Sequence, residues 1–188
     1  NVFQIEFSGE LQIIKLGNVG ATAGRFILDN SNPNTDVPQF WGVATVETNF
    51  NELEQYGLYM GGSGTLQINT TETEKTETIT LRGLGDNNED VTREFVLPPE
   101  SFSIEISGSL RVQPSGSENP LFNMEGAFYL SITPARFEVF AMAELSFGLG
   151  GSELNLGSAS GLIIVRTGQD GATPGVAGTL TLSAGADL

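Results

Sequence analysis

The chain has 188 residues, enough to bury a core as one large domain or two small ones. Its formal charge of -15, from 23 acidic residues against two lysines and six arginines, repels phosphate backbones and anionic bilayers. Nucleic acid is therefore not expected as a partner, and neither is membrane insertion. With no cysteine and no histidine there are no disulfides, no thiol chemistry, none of the commonest zinc ligands and no histidine base.

The first predicted element, residues 3–13 (FQIEFSGELQI), returns ninety-nine residues later at 102–112 (FSIEISGSLRV), with six of eleven positions identical. Phe3, Ile5, Phe7, Leu11 and Ile13 share one row with Gly9, and polar residues occupy the other. That is the pattern of a half-buried strand whose inward row is interrupted by a residue without a side chain. The core of the motif, G-x-apolar-x-apolar, recurs at Gly24, Gly42, Gly64, Gly108, Gly126, Gly161 and Gly178, with Ala143 standing in once. From Gly108 onward the spacings are 18, 17, 18 and 17 residues, and before it they are 15, 18, 22 and 44. Each period reads as one strand of about ten residues and a turn.

Taken in order, residues 30–38 are a loop rich in Asn, Asp and Pro, and Asn51 with Glu54 can cap a short helix ending at Gly57. A polar connection follows at 70–77, then a strand at 78–82, an acidic turn at 86–90, and a break at Pro98-Pro99 before the second copy of the founding strand. Phe122, Met124, Phe128, Leu130 and Ile132 share a face in the next unit. Phe137, Val139, Ala141, Ala143, Leu145 and Phe147 do so in the one after. Leu154, Leu156, Leu162 and Ile164 form a third row, and Val176, Leu180 and Leu182 a fourth.

The expected fold is all-β: long, mostly antiparallel strands in a sandwich or curved layered sheet, repeat-like, with a β-solenoid of 17- to 18-residue coils as the alternative. Turn signals at 133–135 and 167–171 favour the antiparallel arrangement. Residues 1–188 read as one unit, with a two-part organisation (1–84 and 100–188) inside a shared sheet system. Glycines stacked in register would cut a furrow across the sheet, allowing a sharp bend or the close approach of another layer. The strand pattern also runs to both ends, and a following copy would place its Gly9 nineteen residues after Gly178, continuing the rhythm. The expectation is that the sheet is continued by a copy of itself, covalent or separate, through the Phe3, Ile5, Phe7, Leu11 and Ile13 row and the strand holding Leu180 and Leu182.

No catalytic constellation stands out, and the chain is not expected to be an enzyme. Glu6, Glu10, Glu105 and Glu125 could supply a glycosidase pair in principle, but they alternate with apolar residues and read as solvated strand faces. No nucleotide-binding glycine motif is present. Calcium is the one metal worth considering. Asp29 and Asp36 (with Asn30, Asn32 and Asn34) and Asp86 and Asp90 (with Asn88 and Glu89) form two oxygen-rich stretches, although neither has EF-hand spacing and Asx residues make turns unaided. Trp41, beside Phe40, reads as core or interface, which leaves few aromatic platforms for carbohydrate. Asn69-Thr70-Thr71 matches a glycosylation acceptor and so indicates surface.

The segments SGTLQINTT (63–71), LFNMEGAFYLSI (121–132), RFEVFAMAELSFG (136–148) and GVAGTLTLSA (175–184) resemble repeat regions of giant secreted bacterial surface proteins. That resemblance implies a structural or adhesive role outside the cell and identifies no ligand. The functional expectation is an extracellular structural subunit that assembles end to end into a filament, stalk or surface layer, with lateral adhesion by the acidic, Asn-rich loops. Two alternatives are an outer-membrane β-barrel and a lipid-holding β-groove.

Overall fold

A computed structural model of the chain describes residues 2–13, 17–31, 37–50, 54, 55, 57–84, 89–113, 120–149, 152–169 and 171–184. The strands are β1 (Val2–Ile13), β2 (Gly17–Asp29), β3 (Gln39–Asn49), β4 (Leu58–Asn69), β5 (Lys75–Leu81), β6 (Val91–Leu97), β7 (Ser101–Val112), β8 (Phe122–Ile132), β9 (Arg136–Leu149), β10 (Ser152–Arg166) and β11 (Gly175–Ser183). Nine of them form one sheet in the order β1-β2-β3-β4-β7-β8-β9-β10-β11, and β5 with β6 form a separate two-stranded layer. All the ladders are antiparallel, as the turn signals led one to expect. A solenoid, which stacks its coils in parallel, is thereby excluded. The sheet does not close into a barrel, because β1 and β11 are its two outer strands and do not pair.

Two local expectations change. The 44-residue gap between Gly64 and Gly108 holds a hairpin, with β5 starting at Lys75 rather than at residue 78 and β6 following where no strand was expected. Its alternation was hidden because the sheet-facing row of β5 contains Lys75 and Glu77 beside Ile79 and Leu81. The helix expected at 51–57 falls largely outside the described residues, and Gly57 closes a turn by donating its N–H to the Glu54 carbonyl at 2.8 Å.

Residues directly opposite in antiparallel strands share a face, so the registers sort the sheet into two surfaces. One carries Phe3, Ile5, Phe7 and Leu11 of β1, Phe26 and Leu28 of β2, Ile104 and Ile106 of β7, Phe128 and Leu130 of β8, and Val139 and Leu145 of β9. We call it the apolar face. The rows expected within β8, β9 and β11 are seen as read. The row expected in β10 is corrected: a register shift between Asn155 and Gly157 puts Ala159, Gly161, Ile163 and Val165 on the apolar face and turns Leu162 and Ile164 to the other. An unforeseen bulge reverses every later side chain in a strand of period two.

The buried core does not lie on the apolar face. It lies on the opposite, polar face, where the hairpin covers β2 and β3: Ala21, Ala23 and Val43 pack against Ile79, Leu81 and Leu97, with Trp41, Leu84 and Phe95 at the margin. Alanines at 21 and 23 keep the sheet low there, so β5 can lie over β2. The Phe3–Leu11 row, read from sequence as facing inward, is largely uncovered, with Phe3 60 % and Ile5 49 % exposed.

The motif glycines are not one aligned row. Gly108 pairs with Gly126, but Gly9 lies opposite Thr22, Gly64 opposite Ile106, and Gly161 opposite Ala141. In β2 and β3 they seat aromatic rings instead: Gly24 lies opposite Phe7 and Gly42 opposite Phe26, and a Cβ at either position would overlap that ring. Phe26 then stacks on Phe40 with ring centroids 5.8 Å apart, a contact worth about 0.5–1.5 kcal/mol beyond its buried area. At Gly108 a Cβ would meet nothing closer than 3.5 Å. Gly42→Ala should therefore destabilise the chain by about 1–3 kcal/mol. Gly108→Ala should instead be neutral to within about 1 kcal/mol, or stabilising, because it only removes glycine's conformational freedom. Urea unfolding followed by Trp41 fluorescence reads both, and equal losses would refute the ring-seat assignment.

Candidate functional site

Charge is fully segregated in the nine-stranded sheet. Among the described side chains of its strands, Glu6, Glu10, Arg25, Asp29, Glu47, Glu105, Arg111, Glu125, Arg136, Glu138, Glu144 and Arg166 all lie on the polar face, and none lies on the apolar one. The cause is side-chain alternation carried across eight ladders, interrupted only by the register shifts at Leu11/Gln12 and Asn155/Gly157.

The apolar face has relief. Gly20, Thr48, Gly62, Gly108, Gly126, Ala143 and Ala159 face one another strand by strand and make a shallow floor running across β2 to β10. Ile106 and Phe128 stand on one side of it, and Leu110, Met124 and Leu145 on the other. The groove between them holds about 580 Å³ where it crosses β7 and β8. Alternation made the large residues legible, and the glycine furrow expected from sequence is present in part: Gly108, Gly126 and Ala143 of the motif form its middle, while Gly20, Thr48, Gly62 and Ala159, outside the motif, extend it.

Of the residues expected to mediate assembly, Phe3, Ile5, Phe7 and Leu11 sit on the apolar face of the outer strand β1, and Leu180 and Leu182 on that of the opposite outer strand β11, where they are 72 % and 71 % exposed. Ile13 is the last residue of β1, opposite Gly17. The two groups are therefore separated by the full width of the sheet. Each outer strand has a hydrogen-bonded neighbour on one side only.

The surface of the chain, 11726 Å², exceeds by about 3,000 Å² the roughly 8,700 Å² expected of a compact monomer of this mass. Contiguous apolar patches above a few hundred Å² mark interaction sites.

The polar face supports the hairpin. Glu77 is buried, accepts the Trp41 Nε1–H at 2.7 Å, and pairs with Arg25 Nε at 3.2 Å. Lys75 lies over the Trp41 ring at 4.6 Å. Arg93 of β6 grips Glu47 of β3 with two contacts of 2.7 and 2.8 Å. Trp41 thus belongs to the core margin, as its sequence context suggested.

Asn69 corrects a sequence expectation. It is 1 % exposed, its Nδ2 donates to the carbonyls of Thr73, Leu97 and Pro98 at 2.9–3.0 Å, and its Oδ1 accepts from the Thr71 N–H and hydroxyl. The apparent glycosylation acceptor is a buried clasp that closes both ends of the hairpin onto β4. No signal in the triplet separates the two, since Asn-Thr-Thr is also an Asx-turn sequence.

Of the calcium candidates, Asp36 and Asp86 lie outside the described residues. Asp29 is held by Ser31, whose N–H and hydroxyl both donate to Oδ1, at 2.8 and 2.5 Å. Asp90 accepts the Gly83 N–H at 3.1 Å. Among the described residues there is no group of three or more acidic side chains arranged to hold a metal. No described helix is long and apolar enough to cross a membrane.

No protein-family model matches the chain, and neither the curated proteins nor the solved structures contain a significant match to it.

Two measurements check these local assignments. Asn69→Ala orphans buried carbonyls and should cost about 2–4 kcal/mol. Hydrogen exchange should then accelerate in the amides of β5 and β6 well before those of β8 and β9. The Ser31 hydroxyl bond, then the Ser31 N–H bond, hold the Asp29 carboxyl below the usual carboxylate range. A depressed carboxylate pKa adds stability that is complete above its unfolded value and is lost as pH falls through the folded one. The NMR titration midpoint of Asp29 should accordingly lie below that of free aspartate, and Ser31→Ala should raise it.

Proposed function

We propose that this chain is a non-enzymatic, extracellular structural subunit that assembles with copies of itself, edge to edge, into a filament, stalk or surface layer. One observation carries the reading: the meander delivers its two outer strands to opposite edges of an open sheet, each with an unpaired side. Strand edges of this length are templates for further pairing, and natural monomers blunt them with charge, proline or a covering element. The β1 edge carries two charges, Glu6 and Glu10, on its polar face, and the β11 edge is blunted in none of these ways. β11 (GVAGTLTLS) has no charge and no proline and is exposed throughout.

Strand direction allows two kinds of join. An odd number of antiparallel strands leaves β1 and β11 running in the same direction. Copies in one orientation would pair them in parallel. Copies related by a two-fold axis normal to the sheet would pair β11 with β11 and β1 with β1 in antiparallel fashion, the commoner geometry. Either join keeps the apolar face on one side. The acidic charge, the scarcity of lysine beside abundant Thr, Ser, Asn and Gly, and the repeat-like strands agree with an extracellular setting.

Nine strands spaced about 4.8 Å apart advance roughly 43 Å per copy along the assembly. Electron microscopy of the concentrated 188-residue chain should show fibres or ribbons with that repeat for head-to-tail joins, or about twice it for two-fold joins. Prolines placed singly at Thr179 and Leu180 provide the control. Adjacent residues aim their N–H groups to opposite sides of a strand, so one of the two removes a donor from the free edge of β11. That variant should stop at dimers or smaller species, and unimpaired fibres from both would rule edge pairing out.

A further inference from the structure

We infer that the apolar face is a second, separate interface, and that its occupant is the same face of another copy. It lies perpendicular to the edge contact and does not depend on it. The area decides first. Nine strands of 9 to 15 residues give a face of roughly 1,500 Å² per copy at standard strand spacing and rise. Standard protein interfaces bury about 800 Å² per partner, and permanent ones more.

Charge selects the occupant. The described strands place no ionisable side chain on this face, and its few polar side chains include the hydroxyls of Thr22 and Thr48. A fatty acid or phospholipid would find no partner there for its carboxylate or phosphate. A second copy needs none. The acidic polar faces would turn outward on both sides of the pair, so the net charge of -15 opposes every other way of stacking two copies.

Relief fits the same answer. Sheets pack about 10 Å apart with interdigitated side chains, and the floor at Gly62, Gly108, Gly126, Ala143 and Ala159 can take the large residues of an apposed ridge. In a two-fold pair each copy's ridge at Ile106 and Phe128 lies toward its partner's floor. The product is a β-sandwich whose two layers come from two chains.

Single cysteines test this cleanly, because the chain has none of its own. Ile106→Cys on the apolar face should react with a thiol reagent at least roughly tenfold more slowly than the adjacent Ser107→Cys on the polar face, and dilution should remove the protection as pairs separate. Sedimentation should give an even-numbered species, and the edge-proline variant should retain it as a plain dimer. Ile106→Glu with Ile163→Glu should shift it to monomer; both positions are about half exposed and remote from the hairpin core, so the fold survives the change. Gly108→Val provides a second route: a Cβ there meets nothing closer than 3.5 Å in the single chain, and the filled floor should weaken the pair. A monomer with both cysteines equally reactive overturns the proposal. So does a monomer whose Ile106→Cys is protected by co-purified lipid on mass spectrometry. A chain without the prolines that forms the dimer and no fibres would sink edge pairing alone.

Discussion

Register is the constraint on which the rest of this molecule depends. A slip of one residue in the ladders of the large sheet would carry a polar row, charge-bearing in most strands, onto the apolar face, and in β2 it would turn the Phe26 row into the hairpin's seat. The chain resists such slips through pairs that tolerate only one alignment. Phe7 over Gly24 and Phe26 over Gly42 lock β1 to β2 and β2 to β3, since shifting either strand drives a ring into a neighbouring side chain. Hydroxyl ladders add directional contacts on the polar side, with Thr45 to Thr65 at 3.0 Å and Ser63 to Ser107 at 2.9 Å. The last of these ties β4 to β7, the join between the two halves of the sequence.

Given that register, the hairpin has one place to go. It needs a low, partly apolar platform with partners for its charged side chains, and β2 and β3 offer Ala21, Ala23 and Val43 beside Arg25, Trp41 and Glu47. Glu77 joins the layers because its carboxylate meets both an indole N–H and a guanidinium. Removing one partner would leave a buried charge, so this network specifies where the hairpin sits more than it adds net stability. Asn69 does the corresponding work at the hairpin's base. The compact core is therefore local to one end of the sheet, and the strands from β8 to β11 are held chiefly by their ladders and same-face neighbours.

Much of this architecture was legible in the residues, and the failures have identifiable physical causes. Strict alternation at 102–112, 122–132 and 137–147 marked long strands and sorted their faces correctly, because period two leaves no ambiguity when every second residue is large and apolar. The same rule misassigned Leu162 and Ile164, since LIIV is apolar at consecutive positions and the Asn155/Gly157 bulge has no unique signature. β6 went unseen because Arg93 interrupts its apolar row of Val91, Phe95 and Leu97. Side assignment failed most instructively. Pattern tells which residues share a face but not which face is covered, and here the covered one is the more polar. For the calcium candidates, Ser31 and Gly83 account for Asp29 and Asp90 as turn-forming carboxylates, a use the sequence allowed from the start.

Edge pairing and face pairing meet different physical needs. Joining β1 and β11 to other copies satisfies backbone donors and acceptors but adds apolar surface with every copy, so a single-layer ribbon grows less soluble as it lengthens. Apposing two apolar faces removes that surface yet leaves all four outer edges free. Neither contact obstructs the other, because the first lies in the plane of the sheet and the second across it. A structure that made only one of them would retain the liability the other removes. The charge pattern is compatible with both at once: in the proposed assembly every copy would keep its acidic face toward water, and repulsion between those faces would limit lateral thickening to two layers.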